Sequence, residues 1–318
     1  MIKYEIAERA FKEYLENYDL EDGSINLKVI HTYKVVEKSE YIAKNIGLDE
    51  ENIALAKVIG LLHDIGRFEQ VKQTKDFLDS EEFNHADYGV KVLFEDNLIK
   101  KFGIDERYYK IIEKAIYNHN KYKIEEGLSE IELLHSKIIR DADKLDNFRV
   151  KEKENFENIF PSKYNPETIN YEVVSSKVYE DFMKHKCIKL GDRETQIDYW
   201  VCVIAFIFDL YFDVSLQYIK EKDYIDILVD RIQYKNDITK KQMEDIRKCA
   251  KDYLARTNIE NIVESNNSYD TYICEYGHLH DYSQMNLKEL EEEVNNNKTY
   301  DNVEELIKNF EDWKRVLI

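Results

Sequence analysis

The sequence predicts an all-α protein. Only 9 glycines and 2 prolines occur in 318 residues, and β architectures need both residues at their hairpins and corners. Apolar residues recur at three- and four-residue spacing almost throughout, and the alternation that a half-buried strand requires is hard to find. With 43% hydrophobic and 35% charged residues, the chain has the balance of a folded protein, long enough for one large domain or a domain with an appendage.

Taken in chain order, the periodicity places helices at about 2–18, 27–46, 50–65, 84–100, 105–121, 129–149, 166–185, 193–220, 222–233 and 239–256. Gly47, Gly66 and Gly103 stand where helices should stop, in the role of C-terminal caps. Pro161 and Pro166 bracket a loop between an N-terminal and a C-terminal helical half. From about residue 259 the texture turns polar and poorly periodic, and two short charged helical patterns follow. The expected organisation is a helical core over 1–258, with its chemistry within 25–150 and further helices over 160–258, and a C-terminal appendage over 259–318.

The formal net charge of −19 narrows the partners. A surface this acidic repels phosphate backbones and anionic lipid over a Debye length, which excludes extended nucleic acid and membrane surfaces. A small phosphorylated molecule stays admissible, because a metal or a local cation cluster dominates at short range. A homo-oligomer is equally open. The cysteines (Cys187, Cys202, Cys249, Cys274) form no C-x-x-C pair and read as reduced thiols of a cytoplasmic protein. The N-terminal stretch carries charges throughout and resembles no secretory signal. The longest apolar run, Trp200 to Phe208, is too short to span a bilayer.

The chemistry concentrates in the segment IALAKVIGLLHDIGR. From Ile53 to Leu62 nearly every position is apolar, so this helix is expected to be buried all round and then to present His63 and Asp64 side by side. A carboxylate in such surroundings must be paired, hydrogen-bonded or bound to metal, since desolvating a lone charge costs several kcal/mol. The dipeptide alone fits a buried His–Asp hydrogen bond as well as a pair of metal ligands. Three further histidines fall on apolar helix faces. His31 lies with Leu27, Val35 and Ile42, and His119 continues the stripe Tyr108, Ile111, Ile112, Ala115 and Ile116. His85 opens a helix whose inner face includes Gly89, Val92 and Leu93. One inward histidine is an ordinary core residue, whereas four on four helices beside an embedded aspartate are hard to explain as structure. In KIIRDADKLDNF, Ile138, Ala142 and Leu145 define the inner face, and the helical wheel does not choose among Asp141, Asp143 and Asp146.

The ordered set His31, His63-Asp64, His85, His119 and Asp143 resembles the HD-domain metal-dependent phosphohydrolase superfamily. LLHDIGR is similar to the L-H-D-I-G-K signature of that family, HADYG to its H-x-x-x-G element, and RDADKLD to its A-D-x-x-D ending. The last match selects Asp143 over Asp141 and Asp146. The resemblance covers roughly residues 25–150 and implies a helical bundle to which the C-terminal helices are added. It also implies a two-metal site: His31, His63, Asp64 and Asp143 on one ion, with Asp64 bridging to a second held by His85 and His119. Imidazole-rich ligation favours Fe, Mn, Co, Ni or Zn over Mg. The implied reaction is phosphoester hydrolysis by a metal-activated hydroxide, with a nucleotide or related phosphoester as substrate. Arg67, Lys121, Arg140, Lys144 and Arg149 are candidates to hold phosphate oxygens, Arg67 and Lys144 first because they adjoin ligands. Asp64, Arg67 and Lys144 would then carry the catalytic roles. Two departures stand out. Arg67 replaces the family's usual lysine, which keeps a cation but changes its geometry, and no H-H-E or G-Y-P element follows His119, unlike the HD-GYP cyclic dinucleotide phosphodiesterases.

Two rival readings use the same residues. A branch of HD-domain proteins holds a mixed-valent di-iron centre with this ligand set and activates oxygen, and an inactive HD core can serve as a nucleotide-sensing binding protein. Outside the set, His135 and His185 lie among polar neighbours and are expected at the surface. Cys274, His278 and His280 form a C-x-x-x-H-x-H cluster that reads more readily as a loop with two chance histidines than as a second metal site.

Overall fold

A computed structural model describes residues 2–74, 79, 83–159, 165–264, 271–273 and 279–281. The chain divides into two compact units, Met1–Leu254 and Ala255–Ile318. The first is helical. Its N-terminal half runs α1 (Tyr4–Leu15), α2 (Gly23–Asn45), α3 (Glu50–Leu62), α4 (Ile65–Thr74), α5 (His85–Val90), α6 (Tyr109–Asn118) and α7 (Glu130–Lys153). Its C-terminal half runs α8 (Phe156–Ile159), α9 (Pro166–Ile169), α10 (Ser176–Met183), α11 (Gln196–Ile204), α12 (Asp213–Glu221), α13 (Tyr224–Asp230) and the part of α14 (Asp237–Glu264) up to Leu254.

The helix starts follow from local chemistry. Asp22 and Asp49 accept backbone N–H groups of the first turns of α2 and α3, Asn84 does the same for α5, and Ser129 with Glu132 forms a reciprocal capping box at α7. Helix α3 is buried nearly all round, as its apolar run demands, and packs along α2 and α7. Helix α6 lies on α7, and α4 lies on α5. Gly47, at φ 78°, follows α2 in the left-handed conformation that favours glycine, and Gly103 likewise closes a short turn of 3₁₀ helix over Leu98–Phe102.

Several boundaries differ from those the periodicity suggests. Gly66 does not stop a helix; it sits inside α4, which begins after a break of two residues, His63 and Asp64, at the end of α3. A Cβ at Gly66 would lie 2.3 Å from the His85 carbonyl oxygen and 2.6 Å from the Gly89 nitrogen, so this glycine permits α4 and α5 to touch. The helix expected over 193–220 is interrupted because the buried Asp141 carboxylate accepts the Tyr211 and Phe212 backbone N–H groups at 2.9–3.1 Å. The helix expected over 166–185 splits where the Asn170 and Glu172 carbonyls accept from Lys235 and Thr239 at the start of α14. Helix 84–100 gives way after Val90 to a single wide π turn over Lys91–Glu95.

The described residues of the first unit bear out the all-α expectation. In the second unit Thr271–Ile273 pairs antiparallel with Leu279–Asp281, a short hairpin that the helical reading did not include. Cys274, His278 and the charged patterns beyond the hairpin lie outside the described residues, as does Pro161. Among the described residues Cys187, Cys202 and Cys249 form no disulfide. Among the described residues no helix is long and apolar enough to cross a membrane.

Candidate metal centre

Five elements deliver the predicted residues to one place. His31 stands mid-way along α2 with Leu27, Val35 and Ile42 buried on the same face. His63 and Asp64 form the break between α3 and α4, at the end of the largely apolar stretch Ile53–Leu62. His85 is the first residue of α5, His119 follows the last turn of α6, and Asp143 lies on α7. The four histidines and Asp64 are all buried, each at most 4% exposed.

The orientation of each imidazole is fixed from behind. His31 Nδ1 lies 2.7 Å from Asp146 Oδ2, His63 Nδ1 2.8 Å from the Gly60 carbonyl, His85 Nδ1 2.8 Å from Asp79, and His119 Nδ1 2.6 Å from the Ile116 carbonyl. A carbonyl or carboxylate only accepts, so every Nδ1 carries the proton and every Nε2 faces the centre. There the two oxygens of Asp64 are divided. Oδ2 lies 3.7 Å from Nε2 of both His31 and His63, whereas Oδ1 lies 3.3 Å from His85 Nε2 and 3.7 Å from His119 Nε2. Two triads result, His31/His63/Asp64 and Asp64/His85/His119, each with its donor atoms within 4.8 Å of one another. Asp143 joins the first side, its Oδ1 3.1 Å from His31 Nε2 and 4.0 Å from His63 Nε2.

The donor set asks for a cation. His63 Nε2 is buried without a hydrogen-bond partner, and the Nε2 atoms of His85 and His119 meet at 3.0 Å with both Nδ1 protons committed elsewhere. Two lone pairs face to face in a buried site repel unless a positive charge lies between or beside them, and the Arg67 guanidinium, 3.0 Å from His85 Nε2, supplies part of that charge. Divalent transition ions suit imidazole nitrogens and a carboxylate that can bridge.

The charges respond accordingly. Burial holds His63 down to about 4, against the pull of Asp64. Burial and then the Arg67 guanidinium hold His85 down to about 3. His31 goes the other way: burial and Lys28 lower it, but hydrogen bonds to Asp143 and Asp146 prevail and hold it up at about 9. Asp64 stays well below the usual carboxylate range despite its burial, because Lys28, His63, His119 and Arg67 surround it.

Of the cations nominated for phosphate, Arg67 joins the cluster, its guanidinium 3.0 Å from His85 Nε2 and its Nε 3.7 Å from Asp64 Oδ1. The others engage elsewhere. Lys144 pairs with Asp209 at 2.9 Å and Lys121 with Asp87 at 2.6 Å. Arg140, 2% exposed, is tied to the Asn118 and Lys121 carbonyls and to Asp209. Arg149 grips Asp146 through two nitrogens. Both arginines engage partners that hold the fold around the site. The surface position expected for His135 is corrected. It is buried at 1% exposure, with Nε2 3.0 Å from Asn52 Oδ1, a partner 83 residues away. His185 is exposed as expected.

The sequence reading missed three participants. Lys28 places Nζ 3.0 Å from Asp64 Oδ2, and its position one helical turn before His31 was the available signal. Asp146, which the wheel had left open, braces His31. Asp79 collects His85, Arg67 and Gln70 at 2.8–3.1 Å, and nothing in its sequence neighbourhood announced it.

Compared with known protein families, residues 29–147 match the family model of the HD domain. No curated protein and no solved structure matches the chain.

Proposed function

With residues 29–147 an HD domain, we propose that this protein is a metal-dependent phosphohydrolase acting on a small phosphoester of the nucleotide kind. The observation that carries the reading is the division of Asp64 between two histidine pairs whose Nε2 atoms all converge on it. His31, His63, Asp143 and Asp64 Oδ2 would hold one divalent ion, and His85, His119 and Asp64 Oδ1 a second. Bound there, such ions supply Lewis acidity and make water a nucleophile at neutral pH.

The chain's own residues would do the rest. Arg67, anchored by Asp79 and Gln70 and adjoining both His85 and Asp64, presents a planar donor array to phosphoryl oxygens and offsets their charge as the leaving group departs. Lys28, across Asp64 from Arg67, adds a second cation at the same carboxylate. Asp146 and Asp79 keep His31 and His85 in the tautomer that points a lone pair inward.

The test is release of phosphate, or of a phosphorylated product, from a panel of nucleotides and phosphoesters by the full chain loaded with Mn, Fe, Co, Ni or Zn. Turnover should need metal, and Asp64→Asn and His119→Ala should each lower it by about 100-fold or more, since both touch the reacting centre. Undiminished turnover in both variants would overturn the assignment.

A further inference from the structure

The two halves of the centre are built differently. His31 and Asp143 project from α2 and α7, helices of 23 and 24 residues, and His63 ends α3, a helix of 13. These three helices pack on one another. His85 instead opens α5, of 6 residues, and His119 follows α6, of 10. Helices that short are marginal by themselves, so their ends lie where other contacts tie them. The donors differ in the same sense. Two carboxylates and two imidazoles face the first ion position, whereas His85 and His119 share with it only the second oxygen of Asp64.

Polar side chains tie the second pair. Asp79, between α4 and α5, places Oδ1 2.8 Å from His85 Nδ1 and accepts there from the His85 backbone N–H at 3.3 Å and from Arg67 and Gln70 at 3.1 Å. Asp79 Oδ2 accepts from Asn120, the residue after His119, at 3.3 Å. The same Asn120 amide donates to Asn84 Oδ1 at 3.0 Å. Asn84 precedes His85 and caps α5, accepting from the Ala86 and Asp87 backbone N–H groups at 3.0 and 3.2 Å. Asn120 therefore reaches twice from the segment of one ligand to that of the other, behind two rings whose Nε2 atoms lie 3.0 Å apart. Lys121 and Asp87 also join these segments, at 2.6 Å, but their side chains are 25% and 49% exposed, and water screens the pair.

We infer that Asp79 and Asn120 are positioning residues that clamp His85 to His119, and that the ion held there is the weaker bound of the two, so that its occupancy follows metal supply. This rests on the two-ion part of the proposed function and not on the reaction. Because Asp79 also holds Arg67, one carboxylate sets both a ligand of the second ion and the guanidinium proposed to meet phosphate.

The test is calorimetric titration of the full chain, stripped of metal with chelator and dialysed, with Mn(II) alone. The parent should take up two ions in two steps at least about tenfold apart, since affinity follows ligand number and charge. Asp79→Asn should weaken the second step by about 10- to 100-fold and Asn120→Ala by about tenfold, with the first step within about twofold of the parent. Asn147→Ala, which removes the amide that donates to Asp143 Oδ1 at 3.0 Å, should weaken the first step and spare the second. A general loosening of the fold would lower both steps together, so selectivity is the decisive readout. If either clamp variant loses its helical circular dichroism, the other decides. An unchanged second step in a folded variant, a fall in both steps alike, or a weakening of the tighter step by Asn120→Ala would overturn the clamp and leave the two-ion centre standing. A parent that binds one Mn(II) or none would overturn both. Selective loss in a protein that hydrolyses no phosphoester would keep the clamp and sink the phosphohydrolase reading.

Discussion

Asp146 touches no candidate ion, yet the geometry gives it a large effect on ion binding. Its carboxylate is fully buried, accepts from His31 Nδ1 at 2.7 Å, and is itself held by Arg149 at 2.5 and 2.9 Å. In Asp146→Asn the amide oxygen can still accept from His31, so the ring keeps its place. The negative charge that makes the imidazole a stronger ligand is gone, and the amide N–H₂ now faces the Arg149 guanidinium. Outer carboxylates of this kind contribute about 10- to 100-fold in metal affinity, or about 1.4–2.8 kcal/mol. Arg149 is 16% exposed and keeps a distant Glu154, so the folding cost should stay below the 3–5 kcal/mol typical of a severed buried pair, at about 2 kcal/mol. Chelator competition measures the first quantity and urea unfolding the second. Arg149→Met serves as the control: with Asp146 still charged behind His31, affinity should fall by less than about threefold. Equal metal affinity in Asp146→Asn and the parent would refute the claim that orientation and charge are supplied from behind the ring.

Three other predictions use different parts of the structure. Gly66→Ala drives a Cβ against backbone atoms of His85 and Gly89, and should destabilise the fold by about 3 kcal/mol with metal lost alongside, read by denaturant unfolding and metal content; a neutral substitution would mean α4 and α5 do not meet as described. His31 stands at about 9 in the metal-free protein, so below that pH a proton occupies the nitrogen that a metal needs. Metal affinity should therefore rise as pH rises toward 9 and level off above it, and calorimetry at pH 7.5 in two buffers should show about one proton released on binding; no release would contradict the assignment of His31. His135 is buried and held down to about 3 by burial. Because the unfolded chain takes up that proton below about 6.5 and the folded one does not, stability should fall with acid between those values, by about 2 kcal/mol at pH 5. His135→Gln should lack that share of the acid sensitivity, as urea unfolding at pH 7 and pH 5 would show, and an unaltered pH dependence would count against it.

How far the molecule was legible depended on whether the determining contacts were local. The apolar run of α3, broken only by Lys57, announced a helix buried nearly all round, and the His63-Asp64 pair at its end could not be solvated there. The inward faces of α2 and α6 followed from spacing, so His31 and His119 were found. Contacts between distant segments were not legible. Arg140 was a candidate for phosphate oxygens because it lies among the ligand motifs in sequence, and the acceptors that engage it come from the end of α6, from Lys121 and from Asp209. His135 looked exposed because its sequence neighbours are polar, whereas its spatial neighbour is Asn52. Gly66 was read as a stop because glycine often is one, although here its missing side chain makes room for another helix. The wheel did not choose among Asp141, Asp143 and Asp146, because their roles are set by partners on other segments: Tyr211 and Phe212 for Asp141, His31 for Asp143 and Asp146.

If the converging Nε2 atoms and the shared Asp64 carboxylate hold transition-metal ions, elemental analysis of the full chain, purified without added chelator or metal, should find about two first-row ions per chain in the parent and their loss, together with activity, in His63→Ala and in Asp64→Ala. A parent protein that carries no metal and takes none up on reconstitution would contradict that reading.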